Sequence, residues 1–487
     1  MKVATRRIVC TLLGVLAVSL LGIAAACGQA AETADGPDPR EIPVPAIRTA
    51  MGTMPGAMEL PVRKQLPDPL IMNDGTRVKT LVQWTKRRAE IRKSLEYYAV
   101  GSMPPAPGNV TGQEISSQMV LDGKAKYRLV KLTFGPEKKL ELYIGIFTPT
   151  GKGPFPAIIS QSSEPPGGPT LPRSPAGPNQ GRGEDVLMMV GIPAGTPPPR
   201  HNPFERRPAP TAEQIASSRA DALNRGYALV IYNDNDCAED TTLREQDGSF
   251  TFRHTRFYPA YPAYDWGILG GWAWGASRVA DYLVTDPAVD GTKLIITGAS
   301  RAGKSALIAA AFDDRLMGAP VVSGGGGVGA YRFAGSDKSE SLDVMEKKYP
   351  NWFSPHLHEF WGQRERLPFD EHWFLALCAG RPFISLEGDA DTISLPDAVQ
   401  RSIHAAEPVY ALYGKSGRLG VHYSHHAHAF TTEDWTAMMD FFDQTLRNIP
   451  VQTTFDHFLT PAERTAAVTE AASRSRTPLP AADTPPQ

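Results

Sequence analysis

The 487-residue sequence predicts an α/β fold, in which a mostly parallel sheet is sandwiched between helices. From residue 212 onward, short apolar segments alternate with longer segments whose apolar residues recur at helical spacing. Strands that are covered on both faces have nearly continuous apolar sequences, and the helices that connect parallel strands provide that cover. We therefore expect a single large α/β domain with insertions over residues 59–450.

Each element is predicted from its local pattern. The predicted strands are a pair within Tyr127–Thr148 that turns at Gly135–Pro136, followed by Phe155–Ser160, Ala228–Tyr232, Lys293–Thr297, Pro382–Leu386 and Leu419–Tyr423. The predicted helices are Val78–Tyr98, Ala212–Asn224, Trp266–Val284, Lys304–Phe312, Pro396–Ala406 and Glu433–Leu446. The long Pro- and Gly-rich stretch between Ser162 and Pro210 is typical of a lid, a binding loop or a disordered segment.

The N-terminus has the pattern of a secretory signal peptide over residues 1–27. Lys2, Arg6 and Arg7 precede an apolar run, Ile8–Ala26, that ends in small residues. We expect export to the periplasm or the extracellular space, with no membrane span in the mature chain. A retained membrane anchor is the alternative, since the run approaches spanning length. Cys27 follows three alanines and resembles a weak bacterial lipobox, which leaves a lipid anchor open.

Two segments beside the domain have the composition of unfolded chain. Residues 28–58 are rich in Ala, Pro and Gly and are predicted to be a disordered linker. Residues 461–487 have almost no large apolar side chain, so they are predicted to be a disordered tail.

Charge and cysteine usage exclude several classes of function. The net charge is −2 and the basic residues are scattered, so a nucleic-acid surface is not expected. Cys237 and Cys378 are the only cysteines after residue 27, too few for a disulfide framework or a Cys-based zinc site. A single disulfide between Cys237 and Cys378 stays a possible interpretation. We expect a monomer.

The stretch T-G-A-S-R-A-G-K contains the candidate nucleophile, Ser300. It lies between a predicted buried strand and an Ala-rich helix, which is the setting of a nucleophile elbow in the α/β-hydrolase fold. A second Gly usually follows two residues after the serine, whereas this chain has Ala302 there and Gly303 one residue later. An ordinary strand–turn–helix with a capping serine is the alternative interpretation.

A serine nucleophile needs a histidine base and a carboxylate that orients it, and in this fold they follow in the order Ser, acid, His. The turn after the strand at Pro382–Leu386 offers three acids, of which Asp391 is our choice over Glu387 and Asp389. The loop before the last helix supplies four candidate bases: His422, His425, His426 and His428. Four close histidines also suggest a metal site, but no H-E-x-x-H helix accompanies them and no metal or other cofactor is predicted.

Several motifs resemble those of the glucuronoyl esterases, carbohydrate esterase family 15. The elbow G-A-S-R-A-G-K is similar to the family's G-C-S-R-x-G-K, and the preceding helix is similar in W-G-I-L-G-G-W-A-W-G-A-S-R-V-A-D-Y-L. Further similar segments are Y-P-N-W-F, L-P-F-D-E-H-W-F-L-A-L-C-A-G-R-P and H-A-F-T-T-E-D-W. The likeness runs from about residue 65 to residue 446. It implies an α/β-hydrolase that cleaves the ester between 4-O-methyl-glucuronic acid of xylan and an alcohol of lignin.

The resemblance also implies roles for individual residues. Ser300 matches the nucleophile and His428, in H-A-F-T, matches the base. Arg301 matches an arginine that helps to hold the oxyanion, and Lys304 matches a lysine that contacts sugar hydroxyls. Glu340, twelve residues before Trp352, occupies the place of a sugar-contacting glutamate in many bacterial members. The alternative interpretation of Lys304 is a water-exposed lysine at the start of a helix, and that of Glu340 is an exposed helix glutamate.

The chain departs from the family at four places. The position of the usual triad glutamate, 23 residues after the serine, is Ser323, so the acid must come from elsewhere; Asp391 matches the later position that some bacterial members use. Ile393 replaces the tryptophan that packs on the sugar, and Ala299 replaces a disulfide-bonded cysteine. The loop after Phe155 lacks the family's usual Asn-containing pattern. Two other hypotheses therefore stay open: an esterase acting on acetylxylan or pectin esters, and a catalytically silent carbohydrate-binding relative.

Overall fold

The computed structural model describes residues 54–162, 211–333 and 339–474. The predicted signal peptide, most of the predicted linker and the Pro- and Gly-rich stretch after Ser162 lie outside these residues. The described residues belong to one compact unit.

One mixed sheet organises the described residues, with the strand order β1-β2-β3-β5-β4-β6-β7-β8-β9. The strands are β1 (Thr111–Val120), β2 (Ala125–Phe134), β3 (Leu140–Pro149), β4 (Phe155–Ser162), β5 (Ala228–Asn233), β6 (Val289–Ala299), β7 (Leu316–Val321), β8 (Phe383–Gly388) and β9 (Leu419–Ser424). The first three strands and the β3–β5 pair are antiparallel, and every pair from β5 to β9 is parallel. The predicted α/β-hydrolase fold, with its mostly parallel sheet, is confirmed.

Helices cover both faces of this sheet. In the described part of the chain they are α1 (Leu81–Leu95), α2 (Ala212–Ser218), α3 (Ala220–Asn224), α4 (Ile268–Leu283), α5 (Arg301–Phe312), α6 (Leu342–Lys348), α7 (His372–Cys378), α8 (Pro396–Leu412), α9 (Thr432–Arg447) and α10 (Pro461–Arg474). None of these helices is both long enough and apolar enough to cross a bilayer.

Strand β6 shows how the sequence builds two cores. Side chains alternate between the faces of a strand, so Leu294 and Ile296 pack with Trp272 of α4 on one side of the sheet. Ile295, between them in sequence, packs on the other side with Phe441 of α9. Because both faces of β6 are buried, the segment K-L-I-I-T does not alternate between apolar and polar residues. The same burial holds the strand in place, and Ser300 follows directly after its end.

Two strands were not predicted from the sequence. Strand β1 is an edge strand whose side chains are nearly all exposed, so it lacks the apolar period on which strand prediction depends. Strand β7 is fully buried, but it contains Gly318 and Pro320, which weaken any strand signal.

The first part of the predicted disordered tail, Pro461–Arg474, is helical, contrary to prediction, whereas residues 475–487 lie outside the described residues. Thr460 and Glu463 cap its start reciprocally: Thr460 N donates to Glu463 Oε2 at 2.7 Å, and Glu463 N donates to Thr460 Oγ1 at 3.3 Å. An ion pair from Arg464 to Asp397 and the burial of Ala467 attach this helix to α8 and its surroundings. The helix at Pro461–Arg474 therefore forms without large apolar residues, because its N-terminal cap and its alanine content favour the helical state.

The last five residues of the predicted linker, 54–58, are also ordered, contrary to prediction. Ala57 is buried, and the hydroxyl of Tyr98 donates to the Pro55 carbonyl at 2.6 Å. The contacts come from residues far along the chain, so composition alone did not reveal them.

The glycine tract after β7 packs directly against the segment that carries Glu340. Its turn is held by Ser323, whose hydroxyl accepts a hydrogen bond from Val328 N at 3.0 Å. A Cβ on Gly325 would lie only 1.8 Å from the Glu340 carbonyl oxygen. Only a residue without a side chain permits this approach, so the tract positions Glu340 by steric fit.

We expect Gly325→Ala to lower the free energy of unfolding by about 1–3 kcal/mol, because the backbone of Glu340 must move to admit a methyl group. Urea denaturation measures this loss. Gly417→Ala is the matched control, since a Cβ there meets no atom within 4 Å; its effect should stay within about 0.5 kcal/mol. Equal stability of the two variants would contradict the steric argument.

Candidate active site

Ser300 occupies a strained turn between β6 and α5. Its backbone has φ 54° and ψ −119°, a left-handed conformation that costs a non-glycine residue about 1–3 kcal/mol. The amide of Ser300 donates to the Val321 carbonyl of β7 at 2.9 Å, which helps to hold the turn at the carboxyl edge of the sheet. The geometry is that of a nucleophile elbow, in which the serine hydroxyl is presented at the start of a helix.

The glycine spacing that differs from the usual elbow has a steric explanation. A Cβ on Gly298 would lie 2.7 Å from the Ala302 carbonyl oxygen, and one on Gly303 would lie 2.9 Å from the Gly298 and Val321 carbonyl oxygens. The tight approach between α5 and the strands is therefore made at positions 298 and 303. Ala302 is buried and its methyl group is tolerated at the place where the usual motif has glycine.

His428 and Asp391 form a buried pair. His428 Nδ1 lies 2.8 Å from Asp391 Oδ2, and the side chain of Asp391 is fully buried. The other carboxylate oxygen of Asp391 accepts hydrogen bonds from the backbone amides of Ile393 at 2.7 Å and Ser394 at 3.1 Å. These bonds fix the carboxylate and leave Nε2 of His428 as the nitrogen available to a serine hydroxyl.

The electrostatics of the pair keep the carboxylate ionised. Burial alone would raise the pKa of Asp391, but the hydrogen bond and charge of His428 outweigh burial and hold that pKa below its ordinary value. Burial likewise opposes a charge on His428, yet its hydrogen bond to Asp391 and the negative charges of Asp391 and Glu340 raise the pKa of the imidazole.

The two other candidate acids have different partners. Asp389 Oδ2 lies 2.9 Å from His425 Nδ1, at a partly exposed pair. Glu387 is fully buried and accepts a hydrogen bond from Ser385 Oγ at 2.7 Å; burial raises the pKa of Glu387 to about 8. Of the three, only Asp391 is hydrogen-bonded to His428.

The other three histidines of the loop also have separate environments. His426 Nε2 lies 3.1 Å from a carboxylate oxygen of Asp434; burial opposes a charge on this ring, but the Asp434 partner raises the pKa of His426 to about 9. Burial lowers the pKa of His422. His425 pairs with Asp389, as described above. Within the described residues, no three His, Cys, Asp or Glu side chains are arranged to hold a metal ion.

Hydrogen bonds at the end of β7 connect the Ser300 turn with His428. Val321 accepts the amide of Ser300, and the next carbonyl, that of Val322, accepts the hydroxyl of Ser394 at 3.0 Å. Ser394 Oγ in turn lies 3.4 Å from His428 Nδ1. The hydrogen bonds of the described residues do not include one from Ser300 Oγ to His428. Such a contact is often long in a ligand-free enzyme and tightens when substrate binds.

The side chain of Arg301 is held by contacts that were not predicted from the sequence. Its guanidinium forms an ion pair with Asp240 at 2.5 Å and lies over the Trp352 ring, 5.2 Å from the ring centroid. Trp352 Nε1 donates to the second oxygen of Asp240 at 2.9 Å, and Tyr349 stacks on the indole at 3.9 Å. Asp240 and the aromatic pair therefore fix the direction of the arginine next to the serine.

Lys304 is buried rather than exposed to water. Its side chain has 0% exposure, and Nζ lies 2.9 Å from Glu340 Oε2 while also donating to the Ser323 carbonyl. The structure thus joins the two residues that were predicted to contact sugar. The backbone amide of Lys304 donates to the Ser300 carbonyl at 2.9 Å, which puts this ion pair one helical turn from the candidate nucleophile.

Three positions where the sequence departs from its family have clear structural environments. Ser323 is fully buried, and its hydroxyl and carbonyl are used by the glycine tract and Lys304. Ile393 lies on the turn that Asp391 caps. Ala299 is buried beneath the elbow. Cys237 and Cys378 are buried free thiols, so the disulfide that was left open between them is not formed.

Sequence reasoning missed Asp240 and Ser394, which hold Arg301 and contact His428. Asp240 lies in a polar stretch after β5, and Ser394 lies in the turn after β8. Their position after the carboxyl ends of parallel strands was the available signal, but many polar loop residues share it. Trp352 belonged to a recognised motif, although its contact with Arg301 was not predicted.

Comparison with known proteins agrees with these features. The family model described as "Glucuronyl esterase, fungi" matches residues 198–414. Carbohydrate esterase MZ0003, from an unknown prokaryotic organism, is 26% identical over 396 residues, covering 78% of this chain and 89% of the relative. A 4-O-methyl-glucuronoyl methylesterase of Neurospora crassa is 27% identical over 365 residues, covering 73% of this chain and 75% of the relative.

Solved structures give the same result. The glucuronoyl esterase of carbohydrate esterase family 15 from Caldicellulosiruptor kristjansonii has a TM-score of 0.60 and 27% sequence identity, over 83% of this chain and 97% of that one. A glucuronoyl esterase from Solibacter usitatus has a TM-score of 0.62 and 25% identity, over 79% of this chain and 98% of that one. The resemblance found in the motifs is thereby confirmed: the chain is similar to glucuronoyl esterases of carbohydrate esterase family 15.

Proposed function

We propose that this chain is a serine esterase that hydrolyses esters of glucuronic acid or 4-O-methyl-glucuronic acid, such as the ester links between lignin and glucuronoxylan. The observation that carries the proposal is the buried His428–Asp391 pair, which lies beside the strained Ser300 elbow and the Lys304–Glu340 ion pair. A relative that is similar over three-quarters of its length is named a 4-O-methyl-glucuronoyl methylesterase.

The proposed reaction begins with attack of Ser300 Oγ on the ester carbonyl. His428 Nε2 accepts the hydroxyl proton and returns a proton to the departing alcohol, while Asp391 holds the Nδ1–H tautomer and stabilises the imidazolium. Water, activated by the same histidine, then hydrolyses the acyl-enzyme and releases the uronic acid. Each proton transfer uses a residue of the chain, so the proposed mechanism needs no cofactor.

The oxyanion is stabilised in this proposal by Arg301 and by backbone amides at the start of α5. A helix N-terminus carries partial positive charge and unsatisfied N–H groups, which favour a developing negative charge. Asp240 and Trp352 hold the guanidinium before substrate arrives, so its reorganisation cost in the transition state is small.

Glu340 provides the proposed contact to the sugar hydroxyls, because its side chain keeps 12% exposure and a carboxylate accepts hydrogen bonds from hydroxyl groups. Lys304 has no exposed side-chain surface, so in this proposal it holds the Glu340 carboxylate in place rather than touching the sugar.

A wider ester specificity is the second candidate. Ile393 occupies the place of the family's sugar-packing tryptophan, so the aliphatic side chain offers a weaker platform for a pyranose face. Initial rates on glucuronate, galacturonate and acetyl esters distinguish the two candidates, and equal rates on all three would favour the wider specificity.

We also propose that the chain is exported, on the strength of the basic start and apolar run of residues 1–27. Mass spectrometry of the mature N-terminus separates free secretion from retention of a lipid on Cys27.

The nucleophile is tested with benzyl glucuronate. Ser300→Ala should lower kcat at least about 10³-fold, because the substitution removes covalent catalysis and leaves only binding and oxyanion contacts. Thermal unfolding checks that the variant is folded. Full activity of Ser300→Ala would exclude Ser300 as the nucleophile.

The acid is tested by a matched pair of substitutions. Asp391→Asn should lower kcat by up to about 10⁴-fold, because the amide favours the wrong tautomer of His428. Asp389→Asn, two residues away and paired with His425, should leave the rate nearly unchanged. The opposite ranking of the two variants would move the triad acid to Asp389.

The charge of Glu340 should appear in the pH dependence of kcat/KM. The base must be neutral, so activity rises with pH through the pKa of His428, which lies above its ordinary value. Glu340→Gln removes one of the negative charges that raise this pKa, so the acidic limb should move to lower pH. Glu407→Gln, an exposed carboxylate on α8, is the control and should leave the limb in place. A shift to higher pH in Glu340→Gln would contradict the assignment.

A further inference from the structure

His426 lies two residues before the proposed base and connects three segments of the candidate site. Its carbonyl oxygen accepts a hydrogen bond at 3.2 Å from the amide of Ala390, the residue before Asp391. Its ring Nε2 lies 3.1 Å from a carboxylate oxygen of Asp434, on the first turn of α9. The side chain of His426 has only 10% exposure, so these contacts are largely shielded from water.

Both ring nitrogens of His426 face groups that accept hydrogen bonds. Nδ1 lies 2.6 Å from the carbonyl oxygen of Ala427, which has no proton to donate, so Nδ1 must carry one. Nε2 faces Oδ1 of Asp434. The other oxygen of Asp434 accepts the amide and the hydroxyl of Thr431, and the start of a helix stabilises negative charge. The proton shared with Asp434 therefore belongs on Nε2, and the ring is an imidazolium.

The titratable groups around His426 come from β8, β9, α9 and the turn after β8. Burial opposes a charge on the ring, but Asp434 and Asp391 favour it, and the balance raises the pKa of His426 to about 9. Burial raises the pKa of Glu387, on β8, to about 8, so this carboxyl group is mostly neutral at pH 7. Burial lowers the pKa of His422, on β9, so the second imidazole is neutral.

Gly388, at the end of β8, allows the ring to pack closely on the strand. A Cβ at this position would lie 2.6 Å from the Ala427 carbonyl oxygen and 2.7 Å from Nδ1 of His426. The ring thus lies against the strand that leads to Asp391 and within the loop that leads to His428. Its position therefore affects both members of the proposed acid–base pair.

We propose that His426 is a positioning residue, whose two donated hydrogen bonds hold the His428 loop and the Asp391 turn in place. This inference rests on the proposed serine-esterase function and extends it. A neutral imidazole has a single N–H, so loss of a proton breaks the bond to Ala427 or the bond to Asp434. Catalysis should therefore weaken reversibly when the ring is deprotonated, at about pH 9.

The test measures the rate at which a fluorophosphonate labels Ser300 between about pH 7 and about pH 10. This reaction needs the same base but no glucuronate ester. We expect the labelling rate of the parent protein to fall reversibly at about pH 9. His426→Gln has no charge to lose, so the fall should disappear. Its rate at neutral pH should be about 10- to 100-fold lower, because the base is misplaced.

His425→Gln is the matched control, since the neighbouring ring pairs with Asp389 instead and its loss should leave the rate and the pH profile unchanged. Thermal unfolding checks that each variant is folded. Glu387→Gln separates the two groups that titrate in this range. It should keep the fall and move it to slightly lower pH, because ionised Glu387 favours the positive ring.

A labelling rate of the parent protein that stays constant to about pH 10 would overturn the proposal, and this measurement needs no variant. A fall that persists in His426→Gln but is lost in Glu387→Gln would also overturn it, because Glu387 would then be the titrating group. Absence of labelling at every pH would reject the triad and this inference with it. Labelling that follows the expected profile, without hydrolysis of benzyl glucuronate, would reject only the proposed substrate and support the role of His426.

Discussion

Lys304 places an ammonium group where water cannot reach it, and a charge in such a place must be compensated by the protein. The compensation comes from segments far apart in sequence: the carboxylate of Glu340 and the carbonyl of Ser323. To bring Glu340 there, the glycine tract must pass within contact distance of its backbone. The same ammonium lies on the first turn of α5, the helix that begins after Ser300. A single charge therefore fixes three segments relative to one another: α5, the glycine tract after β7 and the segment that carries Glu340.

The proposed triad acid of this chain follows β8 rather than β7. Ser323 stands where the family's usual glutamate would be, and its carbonyl and hydroxyl are occupied by Lys304 and Val328. Asp391 reaches His428 from the next strand along the sheet, and the turn that it caps is held by Ser394 against the Val322 carbonyl. In the proposed triad the carboxylate therefore follows a different strand from that of the family's usual glutamate, and the imidazole still donates one hydrogen bond to a buried anion.

Much of the fold was predictable because burial on both faces leaves a plain apolar pattern, as in K-L-I-I-T of β6. Strand β1 is exposed and β7 contains glycine and proline, so neither has that pattern, and the helix at Pro461–Arg474 depends on a local cap rather than on large apolar residues. Within the site, Ser300, Asp391 and His428 follow an order along the chain that can be read directly. The bracing of Arg301 by Asp240 and Trp352 depends on long-range contacts between residues that are ordinary in sequence.

Both cations next to the elbow have a carboxylate partner in the protein: Asp240 for Arg301, and Glu340 for Lys304. An ester substrate is neutral at its reacting carboxyl group, whereas the acid formed by hydrolysis is an anion at neutral pH. A bare pair of cations would hold that anion more strongly than the ester and would slow its departure. Because each positive charge already has a carboxylate partner, the proposed site holds the anionic product less strongly than two bare cations would, which favours release of product over inhibition by it.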